Sequence, residues 1–115
     1  MKEDYKDTAR FLLGEIANAK NLVSKNDIHG IFISAENIIS SLAYLITPLA
    51  ELEQAYRIEA LPKEEESQAK AEARAKAGDI YKEWRKLVNL MDLAKEQLMI
   101  LKKFKEDLVM EKRLS

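Results

Sequence analysis

The residues best suited to chemistry lie in one short segment, Tyr81 to Lys86. Tyr81 and Trp84 are interleaved there with Lys82, Arg85 and Lys86. Aromatic rings on which bases can stack, set among cations that can pair with phosphates, are typical of proteins that bind single-stranded nucleic acid. An ordinary soluble helix with its tryptophan in the core has the same composition, so this second interpretation stays open.

A local excess of positive charge accompanies these rings. Between positions 70 and 86 the chain has six basic and three acidic residues, and the basic ones are Lys70, Arg74, Lys76, Lys82, Arg85 and Lys86. The whole chain, with 19 basic and 20 acidic side chains, has no global field that would draw it to nucleic acid or to an anionic membrane. Binding of a polyanion would have to use this local patch.

Neither a catalytic site nor a metal site is indicated. The chain has no cysteine and a single histidine, His29, with no Glu-x-x-His or His-x-x-x-His pair. Gly14, Gly30 and Gly78 stand alone in helical context and form no phosphate-binding loop. The carboxylates lie in charge-mixed surroundings, without an apolar pocket that would raise a pKa for acid–base work. We therefore predict no catalytic residue, metal, cofactor or small-molecule substrate, and a protein that is not an enzyme.

Long helices must position these residues, because the composition favours helix over sheet. Apolar residues make up 47% and charged residues 34% of the 115 residues, with three Gly and two Pro. This length fits one helical domain, residues 1–115. The polar amino terminus and the lack of cysteine favour a cytoplasmic protein. The longest apolar stretch, Ile38 to Ala50, is shorter than the ~20 residues of a membrane span, so no membrane segment is expected.

Heptad spacing of apolar residues, in steps of three and four, predicts an all-α fold. In the second helix the series runs Ile28, Ile31, Ala35, Ile38, Leu42, Leu45, Leu49, Leu52, Tyr56. Polar cap residues around Asn26 predict a turn before this helix. The predicted elements are three long helices that form a helical bundle, at about 4–25, 27–60 and 62–110.

Proline and glycine residues mark the points where the second and third helices could bend, begin or break. Pro48 should bend the second helix or restart it with Thr47 as a cap. Pro62 suits the first turn of the third helix, which would follow a tight reversal of the chain. We expect the third helix to continue through Gly78, because the apolar register passes through this point unbroken. In the alternative, Gly78 ends one helix and Asp79 caps another.

The second helix carries more apolar residues than one seam needs. Phe32, Ile39 and Ile46 lie beside its main series and widen the apolar face to what a multi-helix core requires, so the core is expected between Ile28 and Ile46. Beyond it the seam is narrow and partly alanine, and the shorter first helix cannot cover it. We expect a projecting coiled-coil hairpin there, and a homo-oligomer formed through the seam residues Leu49, Leu52, Tyr56, Ala73 and Ala77.

Two segments carry a resemblance to a known family. LAELEQAYRIEA at 49–60, followed by a turn and a run of Ala, Lys, Glu and Arg, and then IYKEWRKL at 80–87, resemble small all-helical phage proteins of the UvsY recombination-mediator type. The likeness covers about residues 49–112. It implies an oligomeric protein that binds single-stranded DNA and helps to load a recombinase onto DNA coated with single-strand-binding protein.

The resemblance also implies a set of phosphate contacts arranged around an oligomeric ring. The residues implied are Arg57, Lys63, Lys70, Arg74, Lys76, Lys82, Arg85 and Lys86. The near-neutral charge of the chain and the acidic run Glu64 to Glu66 depart from the basic surface that such a ring would present. Display of many copies could still amplify a weak patch, because linked contacts raise avidity.

Two functions stay open from the sequence. The first is an oligomeric accessory protein of phage or mobile-element type that binds single-stranded DNA or recombination partners; charge reversal at Arg74 and Lys82 should then weaken DNA binding. The second is a helical protein–protein interaction module, such as an adaptor, an inhibitor of a host protein or an assembly component, without a nucleic-acid role. It predicts that polar residues at Leu49 and Leu52 abolish partner capture while the fold stays intact.

Overall fold

Four α-helices pack into an elongated bundle. The computed structural model describes residues 2–114, and side chains are described for 5–111 and 113. The helices are α1 (Lys2–Ser24), α2 (Ile28–Glu59), α3 (Gln68–Lys76) and α4 (Asp79–Leu114). Residues 2–114 contain no strand, which confirms the predicted all-α class.

The turn between α1 and α2 forms at the predicted place. Asn26 adopts a left-handed conformation with a φ of 55°. The Asp27 carboxylate then caps α2 by accepting the Gly30 N–H at 2.9 Å. A side chain at Gly30 would collide, because its Cβ would lie 2.7 Å from Asp27 Oδ2 and 2.7 Å from Leu22 Cδ2. Cap and close approach together fix the α1–α2 turn, and the bounds of both helices lie within two residues of the predicted ones.

The core runs along the whole bundle at heptad positions. Helix α4 packs antiparallel to α2, since Lys105 lies beside Phe32 while Trp84 lies beside Tyr56 at the other end of α2. The buried core residues are Tyr5, Leu12, Ile16 and Ala19 of α1, Ile31, Ile38, Leu45 and Leu52 of α2, and Leu87, Met91, Ala94 and Leu101 of α4. The core is longer than the predicted region 28–46, because it extends along α2 as far as Leu52.

The molecule is long and thin for its number of residues. Its principal extents are 71 × 26 × 18 Å and its radius of gyration is 19.0 Å, against about 13 Å for a compact domain of this size. Its accessible surface is 8190 Å², against roughly 6,400 Å² for an average monomer of this mass. The bundle therefore leaves more surface uncovered than a compact fold would.

The predicted third helix begins too early. Residues 60–67 form a loop, and α3 starts at Gln68 rather than at Pro62. Ser67 caps α3 by accepting the Lys70 N–H at 3.2 Å. Glu65 has a φ of 65°, which a right-handed helix cannot accommodate. The backbone conformation at Glu65 and the Ser67 cap, and not Pro62, therefore determine where α3 begins. We call residues 60–76, which comprise this loop and α3, the tip.

The predicted continuity through Gly78 is also wrong, so residues 2–114 form four helices and not three. Helix α3 closes with a tight turn in which the Gly78 N–H donates to the Ala75 carbonyl at 3.0 Å, and α4 begins at the next residue. The apolar register shifts at this break. Ala71 and Ala75 are 0% and 1% exposed, whereas Ala73 and Ala77, the predicted seam positions, are exposed.

Helix α2 is continuous through Pro48, so the predicted restart with Thr47 as a cap is wrong; a bend there stays a prediction. By length and composition, an 18-residue window of this helix could cross a membrane, with a mean hydropathy of 1.4 and 28% of the window buried. The core helix of a soluble protein passes the same test, so this property does not decide where the protein resides.

Candidate functional site

Three aromatic rings cluster where the end of α2 meets the start of α4. The Tyr56 and Trp84 rings stack with their centroids 5.2 Å apart, and the Tyr81 ring lies 5.1 Å from Tyr56 and 5.9 Å from Trp84. All three residues are half-buried. The two rings predicted to stack on bases therefore stack within the chain. Tyr56, predicted for the oligomer seam, is their partner.

The cations near these rings do not share their face. Lys82 and Lys86 are exposed, and each lies two residues from Trp84. At about 100° per residue, this spacing places both on the far side of α4 from the tryptophan. Of the three cations in the segment, Arg85 alone reaches a ring, with its Cζ 5.6 Å from the Trp84 centroid. The fold separates most of the positive charge from the aromatic surface.

Arg74 closes the loop of the tip. Its Nε and Nη2 donate to the two Glu66 carboxylate oxygens at 3.0 and 2.9 Å. Nη2 also donates to the Leu61 carbonyl at 3.2 Å, and Glu66 accepts the Lys63 N–H at 2.9 Å. We call Glu66, Arg74 and these two backbone groups the clasp. Its paired, charge-assisted hydrogen bonds join the end of α2 to α3.

The clasp changes the titration of both charged partners. The hydrogen bond from Arg74 is the main reason that the pKa of Glu66 falls to about 2, and the N–H of Lys63 lowers it further. The same hydrogen bond raises the pKa of Arg74. The clasp uses the Nε and Nη2 donors of Arg74, so a phosphate could share this residue only through Nη1. Charge reversal at this residue would therefore open the loop whether or not the chain binds DNA.

The other predicted phosphate-binding residues are spread over three elements. Arg57 on α2 pairs with Glu53 at 2.8 Å. Lys63 in the loop, and Lys70 and Lys76 on α3, are exposed. With Lys82 and Lys86 on the far side of α4, the predicted phosphate-binding residues lie on three helices and one loop.

The predicted oligomer seam is largely internal. Leu52 is 5% exposed and belongs to the core, and Leu49 is packed against that core. Ala73 on α3 and Ala77, the residue that caps the end of α3, are both exposed. Polar residues at Leu49 and Leu52 would consequently disturb the fold itself, so this pair cannot serve as a surface test.

A row of uncovered apolar residues on α2 lies beside the core stripe. Phe32, Ile39 and Ile46 are 44%, 55% and 61% exposed, and Ala43 and Ala50 are exposed among them. We call these five residues the outer stripe. The prediction that Phe32, Ile39 and Ile46 widen the core is wrong, because α1 and α4 cover only the face that holds Ile38 and Leu45. Sequence periodicity showed that α2 has more apolar residues than one seam needs, but it could not show which of these residues stay exposed.

Comparisons with known proteins add no candidate site. No protein-family model, curated protein or solved structure matches the chain. Within the part of the chain that the structure describes, no group of three or more His, Asp or Glu residues could hold a metal ion. His29 is exposed, as a surface or capping residue would be. The geometry of the described residues is therefore the basis for assigning a function to this chain.

Helix α4 flanks the outer stripe with positive charge. A shallow cavity of about 270 Å³ lies between them, and its lining includes Phe32, Ile39, Leu98, Leu101, Lys102 and Lys105. The Lys105 Nζ lies 4.4 Å from the centroid of the Phe32 ring, a cation–π contact. This site has an apolar floor and a basic rim but no nucleophile or acid–base pair. It can bind an apolar side chain and an anionic one together.

A second cavity, of about 370 Å³, lies beside Tyr5 and Glu83 at the start of α1. Burial raises the pKa of Tyr5, and the charge and hydrogen bonding of Glu83 raise it further. Glu83 also pairs with Lys6, whose Nζ lies 3.3 Å from its Oε1. The neutral phenol and the lysine both tie α1 to α4 through one carboxylate. This arrangement supports helix packing and contains no candidate for covalent chemistry.

Proposed function

We propose that the chain is a non-catalytic helical interaction module that binds a partner helix along the outer stripe of α2. The carrying observation is the exposure of Ile39 and Ile46, at 55% and 61%, in the middle of a continuous helix whose neighbouring stripe, which holds Ile38 and Leu45, is fully buried. Contiguous apolar surface on a folded chain marks interaction sites.

The stripe has the spacing that helix recognition uses. Ile39, Ala43 and Ile46 are separated by four and three residues, so they form a row along which an amphipathic helix can lay its own apolar side chains. Fully burying one such aliphatic side chain contributes about 1.5–3 kcal/mol. Each side chain of the row that a partner helix covers would add to the contact and offset part of the cost of association.

Site-specific photo-crosslinking in cells that produce the protein tests this proposal. A benzoylphenylalanine at position 46 should form a defined adduct with a protein identified by mass spectrometry, because Ile46 lies in the contact. The same group at position 58 is the matched control, since Ile58 is 58% exposed on the same helix but lies off the stripe. Equal labelling from both positions would overturn the proposal.

A second candidate is the recombination-mediator function that the UvsY-type resemblance implies, including an oligomer and a projecting coiled-coil hairpin around the tip. The observation in its favour is the exposed pair Lys82 and Lys86 on one face of α4. Anisotropy of a labelled single-stranded oligonucleotide over a salt series tests it.

In that titration, Lys82→Glu with Lys86→Glu should weaken binding and lower the salt slope by about 0.7 for each phosphate that is no longer neutralised. Lys20→Glu with Lys25→Glu, an exposed pair formed by a residue of α1 and one in the turn that follows it, is the charge-matched control. Equal binding by the two double variants, or no binding at low salt, would remove this candidate.

A further inference from the structure

The heptad row on the outer side of α2 is longer than the outer stripe, and its large and small apolar residues are complementary when the row is set against its own reverse. Steps of four and three extend it at both ends through charged residues. The full row is Phe32, Glu36, Ile39, Ala43, Ile46, Ala50, Glu53, Arg57. All of these residues are exposed except Glu53, which is half-buried. The row spans about 38 Å of helix, which is much of the length of α2.

We propose that the occupant of the outer stripe is a second copy of this chain, with the two α2 helices antiparallel about a two-fold axis between Ala43 and Ile46. This inference rests on the proposed function and names its partner. In a two-fold interface, if residue i of one copy contacts residue j of the other, the reverse contact also forms. A row that is complementary to its own reverse satisfies this condition.

The apolar part of the row has that property. In the antiparallel pairing, Ala43 lies opposite Ile46 of the second copy, and Ile39 lies opposite Ala50. Each large side chain therefore meets a small one, in four layers that have the same combined volume. A parallel pairing would instead place isoleucine opposite isoleucine and alanine opposite alanine. It would alternate crowded layers with voids, which cost packing energy.

The residues at the two ends of the row would also pair in the antiparallel arrangement. Phe32 would lie opposite Arg57, whose guanidinium can rest on the ring. Glu36 would lie opposite Glu53, a like-charge contact that the pairing of Arg57 with Glu53 offsets in part. Arg57 already pairs with Glu53 at 2.8 Å, and Lys102 lines the cavity that contains Ile39. Carboxylates at both ends of the apolar part disfavour an anionic bilayer as the occupant.

The uncovered area is large enough for a dimer. The accessible surface of 8190 Å² exceeds that of an average monomer of this mass by roughly 1,800 Å². A stable interface buries about 600–1,000 Å² on each partner. One row of heptad positions, with α4 at its flank, can supply that area.

Sedimentation equilibrium of the purified chain across the micromolar range tests the dimer. Ile46→Lys should raise the dissociation constant more than about 30-fold, because the charge lies next to the axis. Ile58→Lys, an equally exposed site on the same helix, should leave it unchanged. Circular dichroism checks that both variants keep their helix content. If the purified chain stays monomeric across this range, the occupant of the outer stripe is not a second copy.

Cysteine crosslinking tests the orientation, and the chain has no native cysteine to interfere. Oxidation of an equimolar mixture of Ile39→Cys and Ala50→Cys should give the mixed disulfide dimer. Ile39→Cys alone should not crosslink, because the two cysteines would lie about 16 Å apart along the axis. Efficient crosslinking of Ile39→Cys alone, with none in the mixture beyond that, would overturn the antiparallel pairing.

These results separate the inference from the proposed function. A monomeric purified chain whose position 46 still crosslinks to another protein in cells would overturn the second copy and leave the interaction module in place. No adduct at position 46 together with a monomeric chain would overturn both. Flotation of the monomer with phosphatidylglycerol vesicles, abolished in Ile46→Lys, would assign the stripe to a membrane surface and overturn both as well.

Discussion

The body of the molecule, formed by α1, α2 and α4, and the tip, residues 60–76, use different means to stay folded. In the body the fully buried side chains include large ones: Leu12, Ile38 and Leu45 are 0% exposed. In the tip they are Ala71 and Ala75, which bury little apolar area, and the loop depends on the clasp and a serine cap. Packing therefore sets the stability of the body, whereas hydrogen bonds and charge set that of the tip.

This difference predicts two scales of stability. Local opening has a free energy that follows the buried apolar contacts of the region concerned. The tip should open far more often than the body unfolds, and changes in the clasp should be felt in the tip alone. The outer stripe lies wholly on α2, which belongs to the body. Opening of the tip should therefore leave the proposed interface intact.

The largest effect should come from the body. Leu45→Ala removes a fully buried side chain and should lower the free energy of unfolding by about 2–5 kcal/mol, because relaxation of the neighbouring side chains fills the resulting cavity only in part. Urea denaturation followed by circular dichroism measures this change. Ile58→Ala, at a site that is 58% exposed on the same helix, should change it by less than about 0.5 kcal/mol. Equal destabilisation at the two sites would contradict the assigned core.

The body is also the region where sequence and structure agree best. The core positions of α1, α2 and most of α4 follow a strict alternation of three and four, and such a pattern over several turns has only one helical face to define. Asn26 and Asp27 mark the turn because a left-handed residue followed by a carboxylate cap is a local property of the chain. These features need no knowledge of distant neighbours.

The tip and the outer stripe could not be predicted in the same way. Ala73 and Ala77 continue the spacing of α4 through Gly78, and alanines fit either face of a helix, so the pattern hid a break that shifts the register. The prediction for the outer stripe was wrong for another reason. Whether Ile39 and Ile46 are covered depends on how many helices surround α2, and this number is a tertiary property that periodicity along one helix does not contain.

The next largest effect should appear when the clasp is broken. Arg74→Gln removes the charge and the paired donation to Glu66, so α3 should open more readily while the body keeps its stability. We expect amide exchange in α3 to accelerate about tenfold. Lys76→Gln removes the same charge from an exposed position on the same helix and is the control. A loss of global stability in Arg74→Gln alone would show that tip and body fold as one unit.

A smaller change is expected at the cap of α3. Ser67→Ala removes the acceptor of the Lys70 N–H, which costs about 1 kcal/mol at a helix amino terminus and should speed exchange of that amide about fivefold. Ser40→Ala, at an exposed position in the middle of α2, should leave the exchange of the Lys70 amide as it is. Unchanged exchange of Lys70 in Ser67→Ala would mean that the clasp alone holds α3 in place.

The smallest effect should come from acid, and its sign follows from Glu66. The pKa of this carboxylate falls from 4.5 to about 2 in the closed tip, chiefly through the Arg74 hydrogen bond. Above about pH 4.5 the clasp contributes fully. Between 4.5 and 2 the open form takes up a proton that the closed form does not, so the closed tip loses stability as the pH falls.

Amide chemical shifts of residues 66–76, followed from neutral pH downwards, measure this loss. The shifts should move toward open-loop values within that window while core amides of the body stay constant. The change should be incomplete, because a protonated carboxyl still offers Arg74 an acceptor oxygen. Glu66→Gln should remove the pH dependence of these shifts. If Glu66 titrated at its ordinary pKa with the tip unaffected, the clasp would not form in solution, and the tip would depend on the serine cap and on packing of Ala71 and Ala75 alone.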